Sequence, residues 1–134
     1  MPDITLRNCT GTITEESGRT IVQFERPLNE DSPDYPYSIN LYYTYTPGTD
    51  TAATLTFAAR DSRNMIAGIA ADTFFPIGDV GSGGLLALYT YVLPASAHSF
   101  AVPVPTPKNR TCDAFQVIFT PDGSGTIEIF FAGN

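Results

Sequence analysis

The chain has no tryptophan, one histidine, two cysteines and two methionines in 134 residues. Basic residues are scarce too: seven Lys and Arg stand against 14 Asp and Glu, Lys108 is the single lysine, and the formal net charge is −7. Nucleic acid and anionic membrane both demand clustered cations, so neither is expected as a partner. One His, two widely separated Cys and no C-x-x-C exclude the ligand spacing of a structural zinc site. No Gly-rich loop ends in Lys-Ser or Lys-Thr, which excludes a P-loop. No stretch approaches the ~20 apolar residues of a membrane-spanning helix. Met1 to Leu6 has neither a basic n-region nor an apolar h-region. Synthesis without a secretory signal is therefore expected, or a start after a removed leader.

What the chain does contain is apolar enough to fold. Hydrophobic residues make up 43%, which argues against disorder. Charged residues make up only 16%, so Thr, Ser, Asn and backbone must carry much of the surface. The length fits one domain spanning residues 1–134. Cys9 and Cys112 allow one disulfide, which would close nearly the whole chain as a loop and is worth ~4–5 kcal/mol in the chain-entropy model. The alternative is two small buried thiols.

Thr, Val, Ile, Tyr and Phe dominate the regular runs, and Pro, Gly, Asp, Asn and Ser punctuate them at short intervals. Ile4 to Thr14 reads as one or two strands. Glu16-Ser17-Gly18-Arg19 reads as the turn of a hairpin returning through Thr20 to Glu25. Tyr37 to Thr46 alternates strictly, with Tyr37, Ile39, Leu41, Tyr43 and Tyr45 on one face. Pro47 to Asp50 turns the chain into a strand over Ala53 to Ala59. Asn64 to Phe75 fits a short amphipathic helix at its start and a strand at its end. Gly78 to Gly84 reads as a flexible loop, and Leu85 to Leu93 as a strongly apolar strand. Ser99 to Val104 is a strand that Pro103 assigns to a sheet edge. Phe115 to Phe119 and Ile127 to Phe131 read as a hairpin about Pro121-Asp122-Gly123-Ser124-Gly125. The expected fold is all-β: a jelly-roll-like sandwich of about eight or nine strands with at most one short helix, or alternatively a closed barrel.

Catalytic patterns are thin. His98 sits in a Pro94-Ala95-Ser96-Ala97 loop context, and Gly81-Ser82-Gly83-Gly84 lacks the nucleophile-elbow spacing that would make Ser82 its partner. A solvent-facing loop histidine is the plainer expectation. Glu15 and Glu16 are adjacent and point to opposite faces of a strand. Asp72 and Asp79 flank Phe74 to Pro76 and could meet across a turn, but a glycosidase pair also needs a cleft. Asn29 to Asp34 offers oxygen ligands without the order of a calcium loop. Gly18 to Leu28 resembles a strand segment of DOMON-type sandwiches, some of which bind haem or sugar. That resemblance implies Met65 and His98 as axial haem ligands, although their spacing does not compel such a site, and no cofactor is expected.

Tyrosine is the more suggestive feature. Tyr35, Tyr37, Tyr42, Tyr43 and Tyr45 crowd one strand and its entry, so both of its faces carry rings. Tyr contributes large area with a polar tip at interfaces. Pro103, Pro105 and Pro107 make a stiff extended tract that loses little entropy on docking. Tyr35, Tyr37, Tyr42, Pro103, Pro105 and Pro107 are thus the expected binding residues. They point to a non-enzymatic assembly protein such as a virion decoration or cement protein, located on a virion surface or another assembled particle. Its partners would be itself, as a homo-oligomer such as a trimer, and a capsid lattice. The alternative is a carbohydrate-binding module or lectin using Tyr35, Tyr37, Tyr42 and loop carboxylates. The acids, mostly in turns, read as a solubilising rim.

Overall fold

The computed structural model describes residues 4–6, 9–25, 39–62, 66–80, 82–104 and 113–133. Its strands are β1 (Ile4–Leu6), β2 (Cys9–Glu16), β3 (Arg19–Glu25), β4 (Ile39–Thr46), β5 (Thr54–Arg60), β6 (Phe75–Pro76), β7 (Gly78–Val80), β8 (Leu86–Leu88), β9 (Thr90–Val92), β10 (His98–Pro103), β11 (Ala114–Thr120) and β12 (Thr126–Gly133). One short 3-10 turn, Ser82–Gly84, is the sole helical element among the described residues. No helix of the structure is long and apolar enough to cross a membrane.

Period-two alternation places one row of each central strand inside. Val22 and Phe24 of β3, Leu55, Phe57 and Ala59 of β5, and Phe115, Val117 and Phe119 of β11 are all buried. β11 is the centre of this sheet, antiparallel to β3 on one side and β5 on the other. Register aligns Val117 with Val22 and Phe57, and Phe115 with Phe24 and Ala59, so the apolar rows run straight across the strands. The Phe24 and Phe115 rings stack with centroids 5.3 Å apart. The full order is β1-β2-β3-β11-β5, with β6 and β9 sharing the far edge of β5.

A second sheet, β10-β4-β12, covers that apolar face. Leu41, Tyr43 and Tyr45 of β4 are buried, with Ile127 and Ile129 of β12 packed against the same core. Tyr45 meets Phe119 edge-on at 5.9 Å across the two layers. On one side of the sandwich β1 runs beside β12. The fold is therefore an antiparallel sandwich, and no closed barrel is present among the described residues.

Local chemistry explains the turns that came out as expected. β2 and β3 are joined by Ser17 and Gly18, with φ of 52° and 75°. Two successive positive φ values make the type I′ turn that matches strand twist, and the register closes at Glu16 opposite Arg19. Pro103 lies on β10, which among the described residues pairs with β4 alone and is an edge strand.

Three expectations are corrected. The last two strands do not form a hairpin: β11 pairs with β3 and β5, whereas β12 pairs with β4 in the opposite sheet. The link 121–125 is thus a crossing between layers, and so is the link 47–53 that leads from β4 to β5. The stretch 66–74 is a pair of turns, with Ile69 N–H on Ile66 O and Thr73 N–H on Ala70 O, and only Phe75–Pro76 is strand. Finally, Leu85 to Leu93 is not one continuous strand. It breaks at Tyr89 into β8 and β9, which belong to different sheets, and Gly78–Val80 is the strand that pairs with β8.

The two crossings lie side by side and are tied by two aspartates. Asp50 is buried and accepts the Tyr45 hydroxyl at 2.7 Å and the N–H groups of Gly123 and Gly125 at 2.6 and 3.1 Å. Asp122 accepts from Thr51 N–H, Thr51 Oγ1 and Ala52 N–H at 2.7 to 3.0 Å. Thr49 and Ser124 exchange backbone-to-hydroxyl bonds. Asp50 and Asp122 are therefore structural clamps; the buried Asp50 departs from its reading as part of a solubilising rim, whereas Asp122 remains exposed.

Candidate interaction surface

The central strands bury their apolar rows, whereas Ile66, Phe100 and, in the longest exposed run, Leu85, Leu86 and Leu88 stay outside the core. β7 and β8 form a two-stranded ribbon outside both sheets. It is rooted where Ile77 N–H bonds Phe57 O and Tyr89 N–H bonds Ile77 O, each at 3.0 Å. Beyond that root Leu85, Leu86 and Leu88 are 73, 87 and 55% exposed. Gly78 faces Leu88, Asp79 faces Ala87 and Val80 faces Leu86 in register. Leu86 and Leu88 therefore share one face of the ribbon, and Ala87 and Asp79 share the other.

Gly78 is required by this pairing. A Cβ built there would overlap the Ala87 carbonyl oxygen, so the two backbones come together only because residue 78 has no side chain. Pro76, Gly78, Asp79, Leu86, Ala87 and Leu88 line a shallow, mostly apolar depression of about 470 Å³. The Tyr89 hydroxyl donates to Asp79 at 3.5 Å. Asp72 does not line this depression; it lies in the turn before β6.

A two-stranded ribbon is marginal in water on its own, and stability needs three or more strands or a packed face. Fully burying a leucine yields ~1.5–3 kcal/mol, so three exposed leucines on a thin ribbon represent a large unused stabilisation. Tyr89 and Val92, 39 and 65% exposed, extend this apolar surface towards β9.

The expected binding residues are divided by the structure. Tyr42 and Pro103 come together on the outward face of the β10-β4-β12 sheet, with Tyr42 opposite Ala101 and Pro103 opposite Asn40. Tyr42 is half-buried and Pro103 exposed. Thr44 and Ser99 bond through their hydroxyls at 2.9 Å on the same face, and Tyr91 donates its hydroxyl to Pro103 O at 3.4 Å. Tyr35, Tyr37, Pro105, Pro107 and Cys112 lie outside the described residues, as do Met65 and the loop Asn29 to Asp34. Cys9 opens β2.

His98 is not a solvent-facing loop residue. It opens β10, half-buried, with its ring edge-on to Tyr43 and Tyr45 at 5.4 and 5.6 Å. Nδ1 lies 2.7 Å from Ser96 O, a carbonyl that can only accept, so Nδ1 carries the proton. Nε2 lies 2.8 Å from the Tyr43 hydroxyl, the second hydrogen bond of the ring. Both nitrogens are engaged in holding the edge strand. Ser82 belongs to the turn at the ribbon tip. Among the described residues no group of three or more His, Cys, Asp or Glu is gathered as metal ligands would be.

The leucines of the ribbon were missed from sequence because an apolar run reads as core. The signal that marks them is the preceding glycine-rich run, in which Ser82–Gly84 turns Leu86–Leu88 back onto Gly78–Val80, with φ of 74° and 77° at Gly83 and Gly84. Comparison of the chain with models of known protein families, with curated proteins and with solved structures finds no match.

Proposed function

We propose that this chain is a non-enzymatic structural protein that works by assembly, in the form of a decoration or cement protein seated at subunit junctions on a virion or comparable particle. The observation that carries the reading is the β7–β8 ribbon, whose leucines stand outside the sandwich core. Docking would bury this ribbon, and ~800 Å² per partner is enough for stable association. The outward face with Tyr42 and Pro103 supplies a second, flatter contact. The test is co-sedimentation with particles from the native source. The unmodified chain is expected to pellet with them and Leu86→Asp/Leu88→Asp to stay in solution; equal pelleting of both would reject the ribbon as the contact.

The carbohydrate reading is favoured by one feature, the Tyr42 ring on a face that also presents Asn40, Thr44, Ser99 and Glu128. A glycan array separates the two: specific signal abolished by Tyr42→Ala supports sugar binding, and a blank array supports assembly.

A further inference from the structure

We propose that the partner seated on the ribbon is a second copy of the same ribbon, joined edge to edge through β8 across a two-fold axis at Ala87. This rests on the assembly reading above and names its partner.

β8 bonds to β7 on one side and to no strand on the other among the described residues. Antiparallel pairing of two β8 edges about Ala87 turns two marginal ribbons into one four-stranded sheet in the order β7-β8-β8-β7. That meets the strand number a free-standing sheet needs. Leu86 of one copy then lies opposite Leu88 of its partner, and the reverse, as an isologous contact demands. Four leucines gather on one face, where cross-strand pairs between large apolar side chains stabilise a sheet most directly. The side chains that meet across this seam are among the most exposed apolar ones of the described residues, Leu86 at 87% and Leu88 at 55%.

Charge permits the contact. Leu85 to Leu88 are uncharged, and Asp79 is the one ionisable residue lining the depression. In the four-stranded order the two Asp79 residues are three strand spacings apart, roughly 14 Å. That exceeds the screening length of ~10 Å at 0.1 M salt, so the net charge of −7 does not oppose pairing at this site.

Light scattering on the full chain, with circular dichroism as a folding control, tests the proposal. The expected mass is twice 14.4 kDa, falling to the monomer for Leu86→Asp. In a Cys9→Ser/Cys112→Ser background, Ala87→Cys is expected to give a covalent dimer on mild oxidation. Facing Cα atoms in an antiparallel pair stand ~4.5–5.5 Å apart, within disulfide reach. The cross-link reads the geometry even where Leu86→Asp fails to fold. A trimer, or a dimer that survives Leu86→Asp and does not cross-link through residue 87, overturns the two-fold ribbon. A monomer at all concentrations that still co-sediments with the native particle overturns self-pairing but keeps the assembly reading. A monomer that does not co-sediment removes both.

Discussion

Tyr45 and Asp50 are five residues apart yet join two layers. The Tyr45 hydroxyl donates to Asp50 Oδ2 at 2.7 Å from the inner face of β4, while the other carboxylate oxygen receives Gly123 and Gly125 from the opposite crossing. A Cβ on Gly125 would overlap the Asp50 carboxylate, so the glycine is part of the clamp. Asp50→Ala strands the buried Tyr45 hydroxyl and removes the acceptor of two part-buried amides. At ~1–3 kcal/mol for the stranded group, with less for amides that water can reach, a loss of about 2–4 kcal/mol is expected from urea unfolding. Tyr45→Phe, which keeps the two glycine bonds, should cost about 1–2 kcal/mol.

The same pair sets an alkaline limit. Burial, and then the bond to Asp50, push the Tyr45 phenol up to about 12 from its ordinary value of 10.0. The folded state thus holds this proton more tightly than the unfolded state does. The stabilisation is complete below pH 10 and is lost as pH rises towards 12. Thermal melts between pH 9 and 12 should show a declining midpoint, and Tyr45→Phe should flatten the part of the decline that this phenol causes.

An acid limit arises at the other end of the sandwich. Burial raises the Asp113 carboxyl, but the bonds from Arg60 and Ser62 outweigh it and leave its pKa below the ordinary 3.8. The bond from the Thr51 hydroxyl, with the Ala52 and Thr51 amides, lowers Asp122 in the same direction. Both carboxylates contribute stability above their unfolded values, and it is lost as pH falls through the lower folded values. Acid unfolding should therefore set in below about pH 4, and Arg60→Met, which removes the 3.3 Å contact to Asp113, should move its onset upward.

Gly78→Ala should act locally. The added methyl meets the Ala87 carbonyl and parts β7 from β8, without touching the buried rows of the sandwich. Global stability should change by less than about 1 kcal/mol, the range of ordinary surface changes. Hydrogen exchange should accelerate in β7 and β8 alone. By contrast Phe119→Ala, in the buried contact with Tyr45, should cost about 3–5 kcal/mol.

The sequence was most legible where one residue decides the outcome locally. Alternation along β4 correctly grouped Leu41, Tyr43 and Tyr45 on one face, the face that is buried, Ser17-Gly18 named its turn, and Pro103 named an edge. Period two assigns a face but no neighbour, so the partner of β12 was out of reach. Pro47-Gly48-Thr49-Asp50 and Pro121-Asp122-Gly123-Ser124-Gly125 each look like a hairpin turn. That they meet each other, with Asp50 on Gly123 and Asp122 on Thr51, is a tertiary fact. The ribbon was hidden for a related reason: hydrophobicity predicts burial in an average chain, and Leu85, Leu86 and Leu88 are apolar without being core.

In the proposed assembly the β7–β8 ribbon is covered. Hydrogen exchange measured on the dilute chain and on the assembled form tests it most directly. Fast exchange of the β7 and β8 amides is expected in the dilute monomer and strong protection of those amides on assembly, while the amides of β3, β5 and β11 stay slow throughout. Unchanged exchange in β7 and β8, with new protection appearing elsewhere on the surface, would contradict it.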